Sequence, residues 1–585
     1  MNTITANRDA GLSSAPSIPG ANVRTRAAPR SRSARVLAAA SLLIGLALAA
    51  LTLDRDYVSG DGPYWQSQLG DPAKGEIGWF YYARDAWRFP LFDAGNTHYP
   101  EGSSVVLADS LPLFALPAKI AYRAFWPVGS DPPIYTGWWV ALCLVLQAVC
   151  ASRLLRALGI DAPLAHLCGV VIFCWMPIVF LRFGQAALMG QFLILFALEG
   201  YVRAKRDGLS RGHWRAQCAL PAVGLLVTPY LAVMAGAVVA ATIVDAWRER
   251  RLASREVLLR FGGIAVSSLL VMTLGGFFSA TSSQFGDYGL YSMNLLSPFV
   301  PFPETLSGRW LGTTMPVITG SNQWEGGAWL GAGMLLLCAC AAPALRDVRA
   351  NLRRHAVLAG MLVCMLAFAV SHRVGIGPHE VLTLPMPERL LAALSQLRGS
   401  GRFVWVASYA LLAALIVAVC TRYRPRTAAM VLVSAAVLQV VDARPMQAGV
   451  RAASASAAPS SIDVPTWTRL IGAHARIFQY PSFECGGLFG HGVPGNKFRG
   501  VEIDWIAARL DVPTNSAYLA RFTKDCERER ADAMREHGAP GVLYLYRSSD
   551  DIGARLLANG IDSRSCGFLD DVVVCSREVD LSSLR

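Results

Sequence analysis

The sequence predicts a mainly α polytopic membrane protein, with about eleven transmembrane helices, a first external loop carrying two membrane-lying helices, and a small soluble α/β domain at the C-terminal end. Three observations predict this. Hydrophobic residues make up 53% of the 585 and charged residues only 16%, and long apolar runs recur along the chain. Lys and Arg gather at the ends of those runs, so the net charge of +13 reflects topology rather than a polyanionic partner, and no nucleic acid is expected. Beyond Pro445 the apolar runs shorten to strand length.

Residues 1–35 are rich in Ser, Ala, Pro and Arg, and are expected to form a disordered basic tail in the cytoplasm. Arg24, Arg26, Arg30, Arg32 and Arg35 precede the first apolar run, 36–53, which lacks a small-residue cleavage site and reads as an uncleaved anchor. The domain that begins at 36 extends to 445, and its first external loop spans 54–132. Between 54 and 109 that loop holds nine Asp or Glu against four Lys or Arg. Carboxylates held among membrane segments are costly and are usually functional. From Trp79 to Phe89, the residues Trp79, Tyr82, Ala86 and Phe89 make an apolar stripe opposite Arg84, Asp85 and Arg88, the pattern of an interfacial helix. Residues 105–126 are apolar but carry Asp109, Pro112, Pro117, Lys119 and Arg123, so they are expected to dip into the bilayer without crossing it.

Orientation follows from that choice. With 105–126 not crossing, 133–152 runs inward and brings Arg153 and Arg156 to the cytoplasm. Segments 163–181 and 184–202 form a hairpin tipped by Arg182-Phe183-Gly184. Residues 217–246 leave and return through a break at Thr228-Pro229-Tyr230, giving two short spans. Segments 261–279, 327–344, 355–371, 403–420 and 427–441 complete the set, and every strongly basic cluster falls inside. The span count leaves the C-terminus outside.

Residues 446–463 read as an Ala/Ser-rich linker, and 464–585 as an external α/β domain. Its strands are expected at 475–480, 541–546 and 571–575, and its helices at 520–536 and 551–559. Nine of the thirteen Cys lie in or beside apolar segments. The other four, Cys485, Cys526, Cys566 and Cys575, allow two disulfides in an oxidising compartment, with Cys566 and Cys575 the favoured pair.

This architecture resembles the glycosyltransferase-C superfamily. The strings Gly70-Asp71-Pro72, Gly78-Trp79, Trp87-Arg88-Phe89-Pro90-Leu91, Asp109-Ser110-Leu111-Pro112-Leu113 and Tyr288-Gly289-Leu290-Tyr291-Ser292-Met293-Asn294 also resemble an uncharacterised bacterial membrane family. Where that pattern often carries His, this chain reads Lys74-Gly75-Glu76, Gln185 and Gln191. The resemblance implies an integral-membrane transferase in the bacterial inner membrane. Such an enzyme takes a sugar from a polyprenyl-phosphate-type donor and passes it to an envelope glycan, lipid or protein on the external face, among membrane lipids. A non-catalytic envelope scaffold and a lipid or sugar transporter are the competing classes.

Transfer of this kind needs a base for the acceptor hydroxyl and cations for the departing phosphate. Asp71 is the first candidate base and Asp61, in Ser59-Gly60-Asp61-Gly62-Pro63, the second; an N-cap is the competing role for Asp71. Asp109 stands out as a carboxylate inside an apolar stretch. No cofactor is assigned, although Asp71 and Asp109 are candidate oxygen ligands for a divalent metal, Mg or Mn. Arg402, in the Gly-rich Arg398-Gly399-Ser400-Gly401-Arg402-Phe403, is the leading phosphate ligand, followed by Arg373, His372 and Arg182. Interfacial snorkelling is the competing role for each arginine. On the acceptor side stand Glu325 and Trp324, in Gln323-Trp324-Glu325-Gly326-Gly327. Asp504 and Trp505 join them, beside Pro513-Thr514-Asn515-Ser516, with a folded core the competing reading of Trp505.

Overall fold

Each of the eleven apolar segments contains a helix in a computed structural model. The structure describes residues 31–581 apart from 67–69, 128, 280–286, 344–352, 490–498, 522–523, 536–538 and 553–564. The helices that matter below are α1 (Ser31–Thr52), α2 (Gly70–Arg84), α3 (Pro112–Phe125), α4 (Thr136–Ala157), α5 (Pro163–Cys174), α6 (Phe192–Arg206), α7 (Arg211–Leu225), α8 (Pro229–Arg248) and α9 (Ser254–Gly275). They continue with α10 (Ala332–Ala341), α11 (Ala356–Val370), α12 (Val404–Arg422) and α13 (Pro425–Ser454). Among the described residues, seven helices are long and apolar enough to cross a membrane, and α5, α10 and α11 are shorter apolar helices. The eleventh expected segment is α7, whose first turns carry Arg211, His213 and Arg215.

Local chemistry explains the breaks. Pro229 occupies the first turn of α8 after Thr228, ending the preceding helix; the second of the two spans expected to be short is in fact 20 residues long. Pro177 likewise separates α5 from a single turn at Pro177–Phe180, so the stretch 163–181 is not one helix. Helix α13 runs through Pro445 to Ser454, nine residues into the stretch expected to be linker, because its Ala-rich sequence favours helix.

The first loop differs most from expectation. Helix α2 starts at Gly70 and stops at Arg84, so Ala86 and Phe89 lie beyond it and the 79–89 stripe is not a helical face. Trp79, Phe80, Tyr81 and Tyr82 are all buried, packed between α3 and the C-terminal helix α15 (Arg499–Arg509) instead of lying against lipid. Tyr81 Oη donates to Val512 O (2.8 Å), and an Arg84 guanidinium nitrogen donates to Ala508 O (2.8 Å). Helix α3 has 14 residues, about 21 Å at 1.5 Å per residue, short of the ~30 Å hydrocarbon core.

The C-terminal region opens with α14 (Val464–Gly472) and builds a four-stranded mixed sheet. Strands β3 (Arg476–Tyr480) and β4 (Val542–Arg547) are parallel; β6 (Val572–Cys575) pairs antiparallel with both β4 and β5 (Cys566–Leu569). Earlier in the chain, β1 (Arg373–Ile376) and β2 (His379–Thr383) form a separate hairpin. Disulfides join Cys485 to Cys526 and Cys566 to Cys575, the second bridging two residues directly opposite on β5 and β6. The helix expected at 520–536 begins only at Cys526 and ends at Arg535 (α16), while most of the one expected at 551–559 lies outside the described residues. Phe483, Trp505 and Leu519 from this region share one apolar cluster with Trp79, Phe80 and Val105 of the first loop. The loop and the C-terminal region therefore bury a common core.

Candidate active site

A cavity of about 310 Å³ opens where the first loop, the 182–188 tip, the 395–402 turn and the 518–521 segment converge. Asp71, Glu76, Asp109 and Glu325 line it together with Lys74, Arg398, Arg402 and Arg521.

Asp71 sits in the first turn of α2, yet its carboxylate does not cap that helix. It accepts from Gln185 Nε2 (2.9 Å) and Tyr518 Oη (2.8 Å), partners 114 and 447 residues away. Burial pushes its carboxyl up, but the charge of Lys74 and the two hydrogen bonds outweigh that and hold it below the usual carboxylate range. Lys74, one turn on, pairs with Asp109 Oδ2 at 2.5 Å and lies 5.2 Å from the Tyr518 ring centroid. Burial pulls the Lys74 ammonium down, but Asp109 and Asp71 hold it above its ordinary value. An ammonium thus stands where a cation shared by Asp71 and Asp109 would sit, and this donor set does not fit a metal site. Among the described residues no group of three or more His, Cys, Asp or Glu is placed to hold a metal ion.

Asp109 reaches the cavity from a tight turn with φ +58° at Asp109 and +52° at Leu111, backbone that L side chains rarely adopt. The turn lies against Gly78, where a Cβ would stand 2.5 Å from Ser110 Oγ and 2.7 Å from Ala108 Cβ.

The second charged group is centred on Glu325. Its Oε2 accepts from Arg182 Nη1 (2.6 Å) and Arg402 Nη2 (2.8 Å), and its Oε1 from Gln185 Nε2 (3.1 Å). Burial would raise the Glu325 carboxyl, but Arg402 and Arg182 hold it down at about 2. Arg182 also donates to Gln185 Oε1 (2.8 Å) and to the Glu325 carbonyl, so Gln185 joins the two charged groups. Arg402 lies 4.7 Å from the Tyr230 ring centroid. Gly401 permits the packing of this turn, since a Cβ there would lie 2.4 Å from Gly326 Cα. Arg398 donates to Ala520 O (3.3 Å) and Arg521 to Gln396 O, tying the 395–402 turn to the C-terminal segment.

The structure thus brings together Asp71, Asp109, Arg402 and Glu325, with Arg182 directly behind them. It separates the others. Asp61 is exposed in a turn and does not line the cavity. Arg373 pairs with Glu380 (2.6 Å) on the β1–β2 hairpin, and the His372 ring stacks on Tyr288. Trp324 is 47% exposed and also outside the cavity. Asp504 and Trp505 do not form an open surface. Trp505 packs edge-to-face on Phe80 at 5.5 Å, and Asp504 is buried among Gln479 Nε2 (2.5 Å) and Ser516 Oγ (3.3 Å), its carboxyl lifted by burial to about 8.

Lys74, Glu76, Arg398, Arg521 and Tyr518 are the functional candidates that sequence reasoning missed. The excess of carboxylates in the first loop signals Glu76, and proximity to Arg402 signals Arg398. Nothing local signals Tyr518, which enters through the fold of a separate region.

Residues 42–444 match the family profile Domain of unknown function (DUF6311), and residues 466–577 match the DUF6311 C-terminal domain. No curated protein matches the sequence. Among solved structures, ArnT from Cupriavidus metallidurans in the apo state is similar over 94% of this chain and 99% of that one, at 13% identity and a TM-score of 0.47. Matched over most of its length by one family and over its C-terminal end by that family's own second domain, the chain belongs to the DUF6311 family.

Proposed function

We propose that the cavity is the active site of a membrane glycosyltransferase that moves a sugar from a polyprenyl-phosphate-type lipid to an envelope acceptor. The observation that carries this reading is the pairing, in one cavity, of an ionised, partly buried carboxylate, Asp71, with four cationic side chains, Lys74, Arg398, Arg402 and Arg521. In the proposed step the acceptor oxygen attacks the anomeric carbon, the bond from that carbon to the phosphate oxygen breaks, and the phosphate leaves with the electron pair. The acceptor proton passes to Asp71. The four cations receive the phosphate charge. Asp71 at rest is a weak base because Lys74 stabilises its charge; phosphate bound to Lys74 weakens that hold and raises the basicity of Asp71 when it is needed. Arg182 and Glu325 position Arg402 and Gln185. The protein sits in the bacterial inner membrane with the cavity and the C-terminal region on the external side, a placement supported by the two disulfides of that region.

Native mass spectrometry of the purified protein with added polyprenyl phosphate tests the donor assignment. One lipid phosphate should bind, more weakly in Arg521→Gln, and a neutral polyprenol should not displace it. A protein that binds the polyprenol as well as the phosphate contradicts the reading.

A further inference from the structure

The proposed reaction makes no use of Glu76, although this carboxylate lines the same cavity. Asp71, Asp109 and Glu325 each meet a cation or two hydrogen-bond donors. Glu76 meets one hydroxyl, with Oε1 accepting from Thr136 Oγ1 at 2.5 Å. Its Oε2 is buried and has no hydrogen-bond partner among the described residues, and the residue is 2% exposed. A buried carboxylate oxygen without a donor is costly, and such orphans in native structures call for an explanation. Burial lifts the Glu76 carboxyl to about 7, with Thr136 pulling the other way.

The same part of the cavity is aromatic. Tyr57, Tyr64, Trp65 and Phe183 all line it, and the Tyr57 ring lies 4.8 Å from Tyr64, 4.9 Å from Trp65 and 5.3 Å from Phe183. Trp65 Nε1 donates to Tyr57 O (2.9 Å), which fixes the cluster. A phosphate is repelled by Glu76 and gains nothing from these rings. A sugar ring suits both, because its C–H faces pack on aromatic surfaces and its hydroxyls donate to a carboxylate.

We propose that Glu76, backed by this aromatic cluster, is a sugar-binding subsite whose free oxygen accepts hydrogen bonds from the ring hydroxyls. The inference rests on the transferase reading and adds the specificity-determining residue to it. The ring is that of the donor or of the acceptor, and the chemistry is the same for both.

Saturation-transfer difference NMR on the full-length protein in detergent, with D-glucose, D-mannose and L-arabinose as probes, tests it. Well above pH 7, where the Glu76 carboxyl is ionised, ring protons of at least one sugar should receive saturation in the wild type, with affinity about tenfold lower in Glu76→Gln, as expected for loss of a hydrogen bond to a charged acceptor. Thr136→Val should weaken binding less, and melting curves on both variants check that the fold survives. Tighter binding of the corresponding sugar 1-phosphate would mark the donor ring, and equal binding the acceptor ring. No saturation of the ring protons of any of the three sugars in the wild type, or equal affinity in wild type and Glu76→Gln, overturns the subsite. Failure of the transferase reading is separate: it shows as undiminished glycan transfer by Asp71→Asn, whatever the sugar binding.

Discussion

Removing the Glu325 carboxylate should destabilise the protein more than removing either arginine that it pairs with. Glu325 holds two guanidiniums, Arg182 at 2.6 Å and Arg402 at 2.8 Å, whose side chains are 1% and 13% exposed. Glu325→Gln keeps the shape but leaves both cations buried and facing each other without a counter-charge. Breaking a buried pair this way costs ~3–5 kcal/mol. Over a 585-residue chain, at ~2.1 cal/mol/K per residue, that is a melting shift of about 2–4 °C. Arg182→Met leaves Glu325 still paired with Arg402, so its cost should be smaller, and the double variant should cost less than the sum of the two. The same network sets an acid limit. The folded-state pKa of Glu325, about 2, lies below its ordinary value of 4.5, so its contribution is complete above about pH 5 and is lost as pH falls through the folded value. Differential scanning calorimetry of the four proteins across that range is the assay. An Arg182→Met shift as large as that of Glu325→Gln would refute the reasoning, because it would place the stabilising charge on the wrong partner.

Tyr518→Phe should raise the pKa of Asp71, because the lost hydrogen bond stabilises the ionised form; the acid limb of the transfer rate should move to higher pH with protein abundance unchanged. Reducing Cys485–Cys526 should cost more stability than reducing Cys566–Cys575. Their separations of 41 and 9 residues correspond to about 4 and ~2.6 kcal/mol of loop-closure entropy, so Cys485→Ser and Cys566→Ser melting curves decide it. Asp61→Asn should leave transfer unchanged, since that side chain is exposed and outside the cavity; a glycan defect at normal abundance would restore it as a candidate base.

The helical scaffold was legible because span length, Pro breaks and basic flanks are local signals, and the break at Thr228-Pro229 shows how little context they need. Asp71, Asp109, Arg402 and Glu325 were legible as single residues because a charge beside an apolar segment is conspicuous. Their grouping was not, because it depends on partners hundreds of residues apart, as in Tyr518 with Asp71. Trp79 was misread for a related reason, whereas the folded-core reading of Trp505 agrees with its packing on Phe80. An aromatic stripe meant for a membrane surface and one meant for another protein element have the same composition, and only the fold shows that α2 and α15 cover each other. Helix α2 itself began nine residues early because Asp71-Pro72 sits inside its first turn, where Pro is tolerated.

The central claim is that Asp71 accepts the acceptor proton during sugar transfer. Asp71→Asn retains the size of the side chain, its one oxygen can take the bond from Gln185 while its amide donates to the Tyr518 hydroxyl, and it removes the basicity. The decisive measurement is the rate of glycan transfer in membranes holding equal amounts of wild-type and Asp71→Asn protein. The account predicts a fall of about 10² to 10⁴-fold at unchanged abundance; transfer by Asp71→Asn within a few-fold of wild type would contradict it.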